Sequence, residues 1–472
     1  MVVLHRTAFT SARIWSCRLK TSRGLATAAK EKKEGDISSV FASLSGEAAL
    51  PLDPRFADIK RRLIGGHEDA IRASWRTLLL VLRDEIKLIA AAGPSVIQEI
   101  AFADIDSTSA ADSFAHELRK RGAAVIRGVV SQETALGWKE DIRSYLRANP
   151  HTKAFPKDDP QVFELYWSPS QIRARSHPNM LKAQRFLMEF WHSKDLHALV
   201  DTQNPLSYAD RLRIRSPGDA GFALGPHVDG GSVERWEPDG YGKGGVYDKI
   251  WQGQWEEYDP FESSVRLDAV INLHEGAGNC SMFRMFQGWL SLSTTSPGEG
   301  TLKVYPLLKQ ATAYYLLRPF FSAKNADATR SGFLDEENWI LDVEQTSLIQ
   351  GAAPGLGQEF NTALHPHLDL ERGMTHVPKV YPGDYVAWHC DTIHAVDKTH
   401  AGTSDSSVLY IPSSPTTEAN LSYVIRQRKA FEAGTPGPDF PGGVGESHHV
   451  GRPRKEDIDE AGGERGLYAM GF

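Results

Sequence analysis

The chain is 472 residues long, with 41% hydrophobic and 24% charged residues, the make-up of a globular protein able to bury a substantial core. Its net charge of −7 argues against nucleic acid held through phosphate contacts, and no apolar run nears the roughly 20 residues of a membrane-spanning helix. Three cysteines, Cys17, Cys280 and Cys390, are too few and too scattered for a disulfide framework or a cysteine-built zinc site, so a reducing compartment is expected.

Residues 1–29 carry Arg6, Arg13, Arg18, Lys20 and Arg23 among Ser, Thr and apolar residues and hold no acid. That composition predicts a mitochondrial transit peptide and a matrix destination, or a cytoplasmic one if the segment is only a basic tail. Residues 30–54 read as a linker. From Arg55 to Ala92 apolar residues recur at three- and four-residue steps, which predicts helical support. A helix ending near Arg121 is expected to lead into a buried strand over 122–130, with Ser131 capping the next helix. Pro178–Val200 carries an apolar helical stripe that reads as core.

A strand-like run, Arg211 to Arg215, then leads to Gly225-Pro226-His227-Val228-Asp229-Gly230-Gly231. On an extended strand, residues two apart point to the same face, so His227 and Asp229 can grip one metal ion. Residues 232–264, rich in Trp, Tyr and Gly and without a period, are expected to form a lid or substrate wall or, equally, a purely structural flap. Strands are predicted within 265–274, 282–293, 300–305, 384–389, 393–396 and 408–411, with a less regular insertion over 310–376. Short strands at this spacing beside helices suggest an α+β protein with a double-stranded β-helix, a cupin-like jelly roll, spanning about 206–415 inside a domain of 55–433. The Gly/Pro-rich residues 434–472 are expected to be a surface arm.

A third ligand has to come from downstream. His274, His365, His367, His376, His400 and the His448-His449 pair lie in unremarkable settings. His389 and His394 stand out, because Pro382-Gly383-Asp384 enters a strand that ends at His389, and a short turn presents Ile393-His394-Ala395-Val396 on the neighbouring strand.

Pro-Gly-Asp, an apolar strand, a turn and His-Ala-Val together resemble the closing half of iron(II)/2-oxoglutarate oxygenases. The segments Gly122–Val130, Trp289–Ser293 and Gly298–Pro306 resemble phytanoyl-CoA dioxygenase relatives. Leu212–Arg215, Phe222–His227, Phe286–Leu290 and Leu409–Pro412 are similar to the YbiU-like branch of that superfamily. The resemblance implies that His394 completes a 2-His-1-carboxylate triad with His227 and Asp229, and that Fe(II) and the co-substrate 2-oxoglutarate serve a dioxygenase acting on a small organic molecule with molecular oxygen. Such enzymes commonly hold the far carboxylate of 2-oxoglutarate with an Arg ten to fourteen residues after the distal His, but residues 404–408 contain no basic side chain. Arg284, Lys303, Arg213 and Arg215 are the candidate substitutes. A cupin-like metal enzyme working without 2-oxoglutarate and a non-catalytic barrel are the rival expectations.

Overall fold

The computed structural model describes residues 41, 51–221, 223–276 and 279–472. The expected transit peptide, and all of the expected linker except Phe41 and residues 51–54, lie outside the described residues.

The fold is mixed α+β with two large sheets. The larger has eight strands in the order Gln98–Ala101, Ala123–Arg127, Tyr385–His389, Phe286–Ser291, Ser406–Tyr410, Leu212–Arg215, Val162–Phe163, Ala154–Phe155. Only its first pair is parallel. The smaller, antiparallel throughout, has five: Gln358–Glu359, His227–Val228, His394–Val396, Leu302–Val304, Thr375–His376.

Alternation along each strand decides what faces what. Phe286, Leu290, Tyr385, Ala387 and Leu409 point to one face of the larger sheet, where they pack on helices Thr108–Arg121, Gln132–Ala148 and Pro178–Met188 through Phe114, Trp138 and Leu187. Trp289, Val386, Trp388 and Val408 point to the other face and meet Leu302 and Val304 of the smaller sheet. Both faces being covered, Phe286–Ser291 is buried at every residue. Each large apolar side chain removed from water in this way contributes about 1.5–3 kcal/mol.

The helix Glu68–Ala92 presents Ile71, Trp75, Leu78, Leu82 and Ile86 at helical spacing to a second core. The Trp75 ring stacks 4.3 Å from Phe321 and 5.4 Å from Tyr314. That core also takes up Trp236, Tyr241, Tyr247, Trp251, Trp255 and Tyr258, all buried. Residues 232–264, expected as a lid or wall, thus form a series of short helical turns fixed into the body, because their aromatic rings have no other place to leave water.

Two further expectations are corrected. Val265–His274 is no strand: successive turn bonds, such as Leu267 N–H to Ser264 O and Ala269 N–H to Arg266 O, curl it, and Arg266 is drawn inward to pair with Asp391. Residues 434–472 are no surface arm. Phe440 is buried 4.7 Å from the ring of Tyr166, and the helix Lys455–Ala469 lies along Pro169–Ser176. Gly462 permits that approach, since a Cβ there would sit 2.1 Å from the Ser176 carbonyl oxygen.

Candidate metal centre

His227 and His394 face each other across the ladder of the smaller sheet, directly in register, with ring centroids 4.1 Å apart. Asp229 lies just past the end of its strand. The chain turns away there through Gly230 and Gly231 at φ of 84° and 78°, and a Cβ on Gly231 would meet the Ile271 carbonyl oxygen at 2.6 Å. His227 Nε2 is 3.8 Å from Asp229 Oδ1, and His394 Nε2 is 3.6 Å from Asp229 Oδ2. These separations are too long for hydrogen bonds, yet within the span of two bonds to one shared ion.

The two imidazoles are held in the tautomer that a metal needs. His227 Nδ1 lies 2.7 Å from the Gly225 carbonyl oxygen, and His394 Nδ1 lies 3.0 Å from that of Thr392. A carbonyl can only accept, so Nδ1 carries the hydrogen and Nε2 keeps its lone pair toward the centre. Burial, reinforced by the neighbouring His394, lowers the His227 pKa to about 4, which keeps it neutral. Burial opposes the charge of Asp229, but the two imidazoles and Arg284 outweigh it and hold the carboxyl well below its usual range. Two imidazole nitrogens and a carboxylate converging on one point fit a divalent transition metal.

The three groups open into a cavity of about 110 Å³. Its walls come from both sheets, from Tyr208 and Phe440, and from Phe41, whose ring meets that of His227 edge-on at 4.7 Å. Among the described residues, five buried side-chain atoms of the lining lack a hydrogen-bond partner: Arg211 Nη1, Arg213 Nε, Asn279 Nδ2, Gln287 Nε2 and Trp388 Nε1. All five are nitrogen donors. A buried donor without an acceptor costs about 1–3 kcal/mol, so the cavity suits a ligand rich in acceptor oxygens.

The four basic candidates part company. Arg213 lines the cavity, only 3% exposed, opposite Val408 in the ladder and therefore facing between the sheets. Its one side-chain bond is a long one to Ser406 Oγ, at 3.5 Å, and burial lowers its pKa. Arg284 also lines the cavity, its guanidinium 5.4 Å from the Tyr208 ring centroid. Arg215 does not: its Nε donates to Asp219 at 2.6 Å, and its Nη1 and Nη2 donate to the carbonyls of Asp397 and Lys398. Those partners use up the fork. Lys303 alternates with Leu302 and Val304 and so points away from the centre, into a separate, wider cavity of about 1240 Å³ shared with Glu359 and Lys398. His389, next to Trp388 in its strand, points to the opposite face and lies outside the triad.

Several lining residues escape sequence reasoning. Gln287 had a signal, a lone polar residue two before Trp289 on the inward face of an apolar strand. Tyr208, Asn279 and Phe440 had none, because only tertiary packing brings them to the cavity.

A family model described as Gig2-like matches residues 50–472. The uncharacterised protein YbiU of Escherichia coli K12 is 32% identical over 387 residues, covering 79% of this chain and 86% of its own. Among solved structures, that of the GlcNAc-inducible gene 2 protein of Candida albicans is similar at 32% identity and a TM-score of 0.78, over 90% of both chains. A protein of Salmonella typhimurium LT2, named as a candidate oxidoreductase, is similar at 31% identity and a TM-score of 0.73, over 89% of this chain and 99% of its own.

Proposed function

The chain belongs to the Gig2-like family, and we propose that it is a non-haem iron(II)- and 2-oxoglutarate-dependent oxygenase hydroxylating a small organic substrate. The strand order supports this. Tyr385–His389, Phe286–Ser291, Ser406–Tyr410 and Leu212–Arg215 pack on Thr375–His376, Leu302–Val304, His394–Val396 and His227–Val228, an antiparallel arrangement that reads as a double-stranded β-helix. The closing motif, Pro382-Gly383-Asp384 through His394-Ala395-Val396, supports a place beside the phytanoyl-CoA dioxygenase-type enzymes.

The observation that carries the reading is the meeting, in one cavity, of the three metal-capable groups with a buried guanidinium that lacks a carboxylate. His227, Asp229 and His394 would hold Fe(II). Arg213 would pair with the far carboxylate of 2-oxoglutarate. It stands opposite Val408, fourteen positions after His394, so a neighbouring strand supplies the cation that residues 404–408 lack. Tyr410 lines the same wall, and burial raises its pKa, so its hydroxyl stays protonated and able to donate. Trp289, Trp388 and Leu302 exclude water from the pocket floor. When bound, the ion and 2-oxoglutarate supply oxidative decarboxylation: oxygen and 2-oxoglutarate become succinate and carbon dioxide, and the second oxygen atom enters a substrate C–H bond.

Anaerobic titration of iron-loaded protein with 2-oxoglutarate tests the reading. Chelation should produce a visible charge-transfer band, and Arg213→Met should weaken 2-oxoglutarate binding by roughly 100-fold, as expected for losing a buried charge-assisted pair, with iron affinity retained. A wild-type protein that binds iron but neither develops the band nor binds 2-oxoglutarate calorimetrically would instead be a metal enzyme of another kind.

A further inference from the structure

Resting on that reading, in which Arg213 serves the co-substrate, we propose that Arg284 is the specificity residue for the primary substrate, and that the substrate is a small organic monocarboxylate. Arg284 lies just before the strand Phe286–Ser291 and lines the metal cavity. Among the described residues its guanidinium has no carboxylate within ion-pairing distance and no hydrogen bond, only the face of Tyr208. A guanidinium with only a ring face for a neighbour keeps its N–H fork free, and that fork matches a planar carboxylate.

Two neighbours share the same need. Asn279 and Gln287 both line the cavity, both are at least nine-tenths buried, and each leaves an amide nitrogen without an acceptor. An arriving carboxylate would offer acceptors to the fork and to such amides at once.

The charges around Arg284 select the valence of the anion. Asp229 and Asp210 supply the negative charge that acts on the Arg284 guanidinium. Asp229 and Asp210 also line the cavity. A dianionic phosphate bound at Arg284 would face both carboxylates, whereas a single carboxylate balances the Arg284 cation. The aromatic walls, Tyr208, Trp289 and Phe440, suit an apolar body behind that headgroup.

The test uses the full chain loaded with iron, without oxygen and with 2-oxoglutarate present. Benzoate and indole-3-acetate are each compared with their neutral amides and with phenyl phosphate, by calorimetry and by perturbation of the visible band. The carboxylates should bind roughly tenfold or more tightly than amides and phosphate, the gain expected of one charge-assisted fork, and Arg284→Met should erase the preference while iron and 2-oxoglutarate still bind. Equal binding of acids and amides, or an unchanged preference in Arg284→Met, overturns the assignment. So does loss of 2-oxoglutarate rather than benzoate binding in that variant, which would make Arg284 the co-substrate residue. If wild-type protein does not bind 2-oxoglutarate at all, the function proposed above fails, and the acid-against-amide comparison on the iron-loaded protein alone still decides whether Arg284 holds a carboxylate.

Discussion

Two groups of metal-capable side chains lie at the passage from the larger sheet to the smaller, and they behave in opposite ways. His389, Cys390 and Asp391 bring their ligand atoms as close together as His227, Asp229 and His394 do, all within 4.8 Å in each group. In the first group the lone pairs are already in use. His389 Nδ1 accepts from Asp391 N–H at 3.0 Å, Nε2 lies 3.0 Å from the Pro260 carbonyl oxygen, and the ring stacks on Trp191 at 4.8 Å. The Asp391 carboxylate takes the Arg266 guanidinium and the hydroxyls of Tyr247 and Tyr258. In the second group the Nε2 atoms and the carboxylate have no such partners among the described residues. Residue type and spacing nominate both groups, but only the satisfaction of their lone pairs separates a clamp from a metal centre.

Substitutions should drive the two apart. The largest effect belongs to His227→Ala: ferrous or manganous ion affinity should fall at least about 100-fold in equilibrium dialysis with the fold retained, since one of three ligands is gone. Asp391→Ala should leave metal affinity unchanged and instead cost about 3–5 kcal/mol in urea unfolding, because it strands a buried Arg266 charge. Metal loss in Asp391→Ala at full stability would contradict the division of labour.

The smallest effect concerns pH. Burial, aided by the charge of Arg266, lowers the His389 pKa from 6.5 to about 3. Between those values the unfolded chain binds a proton that the folded one refuses. The contribution of His389 is therefore complete above pH 6.5 and is lost as pH falls toward 3. His389→Gln should flatten the acid loss of stability by about one proton's worth, read from unfolding free energies across that window. An unchanged slope would show that the ring is not kept neutral.

The convergence of His227 and Asp229 was legible because a two-residue step on a strand is the shortest route to one face. His394 could not be separated from His389 by the residues alone. The structure separates them by parity: Trp388 faces between the sheets, so His389 must face the helices, and the turn through Asp391 restores His394 to the inner side. Arg213 and Arg215 share a face and a spacing, and what parts them is Asp219, which claims one fork and leaves the other free. Residues 232–264 and 434–472 read as loops for a common reason. Their glycines and prolines mimic the composition of loops, whereas here they serve tight turns and close approach. Such packing has no period to read.

Phe41 touches the His227 ring from before the first described helix, and Phe440 closes the cavity from beyond the last strand. The three metal-capable residues all lie at or before position 394, yet the cavity they open into takes part of its wall from Phe440, far downstream. The wall of that cavity is therefore finished only when segments from before the first described helix and from beyond the last strand have both folded onto the sheets.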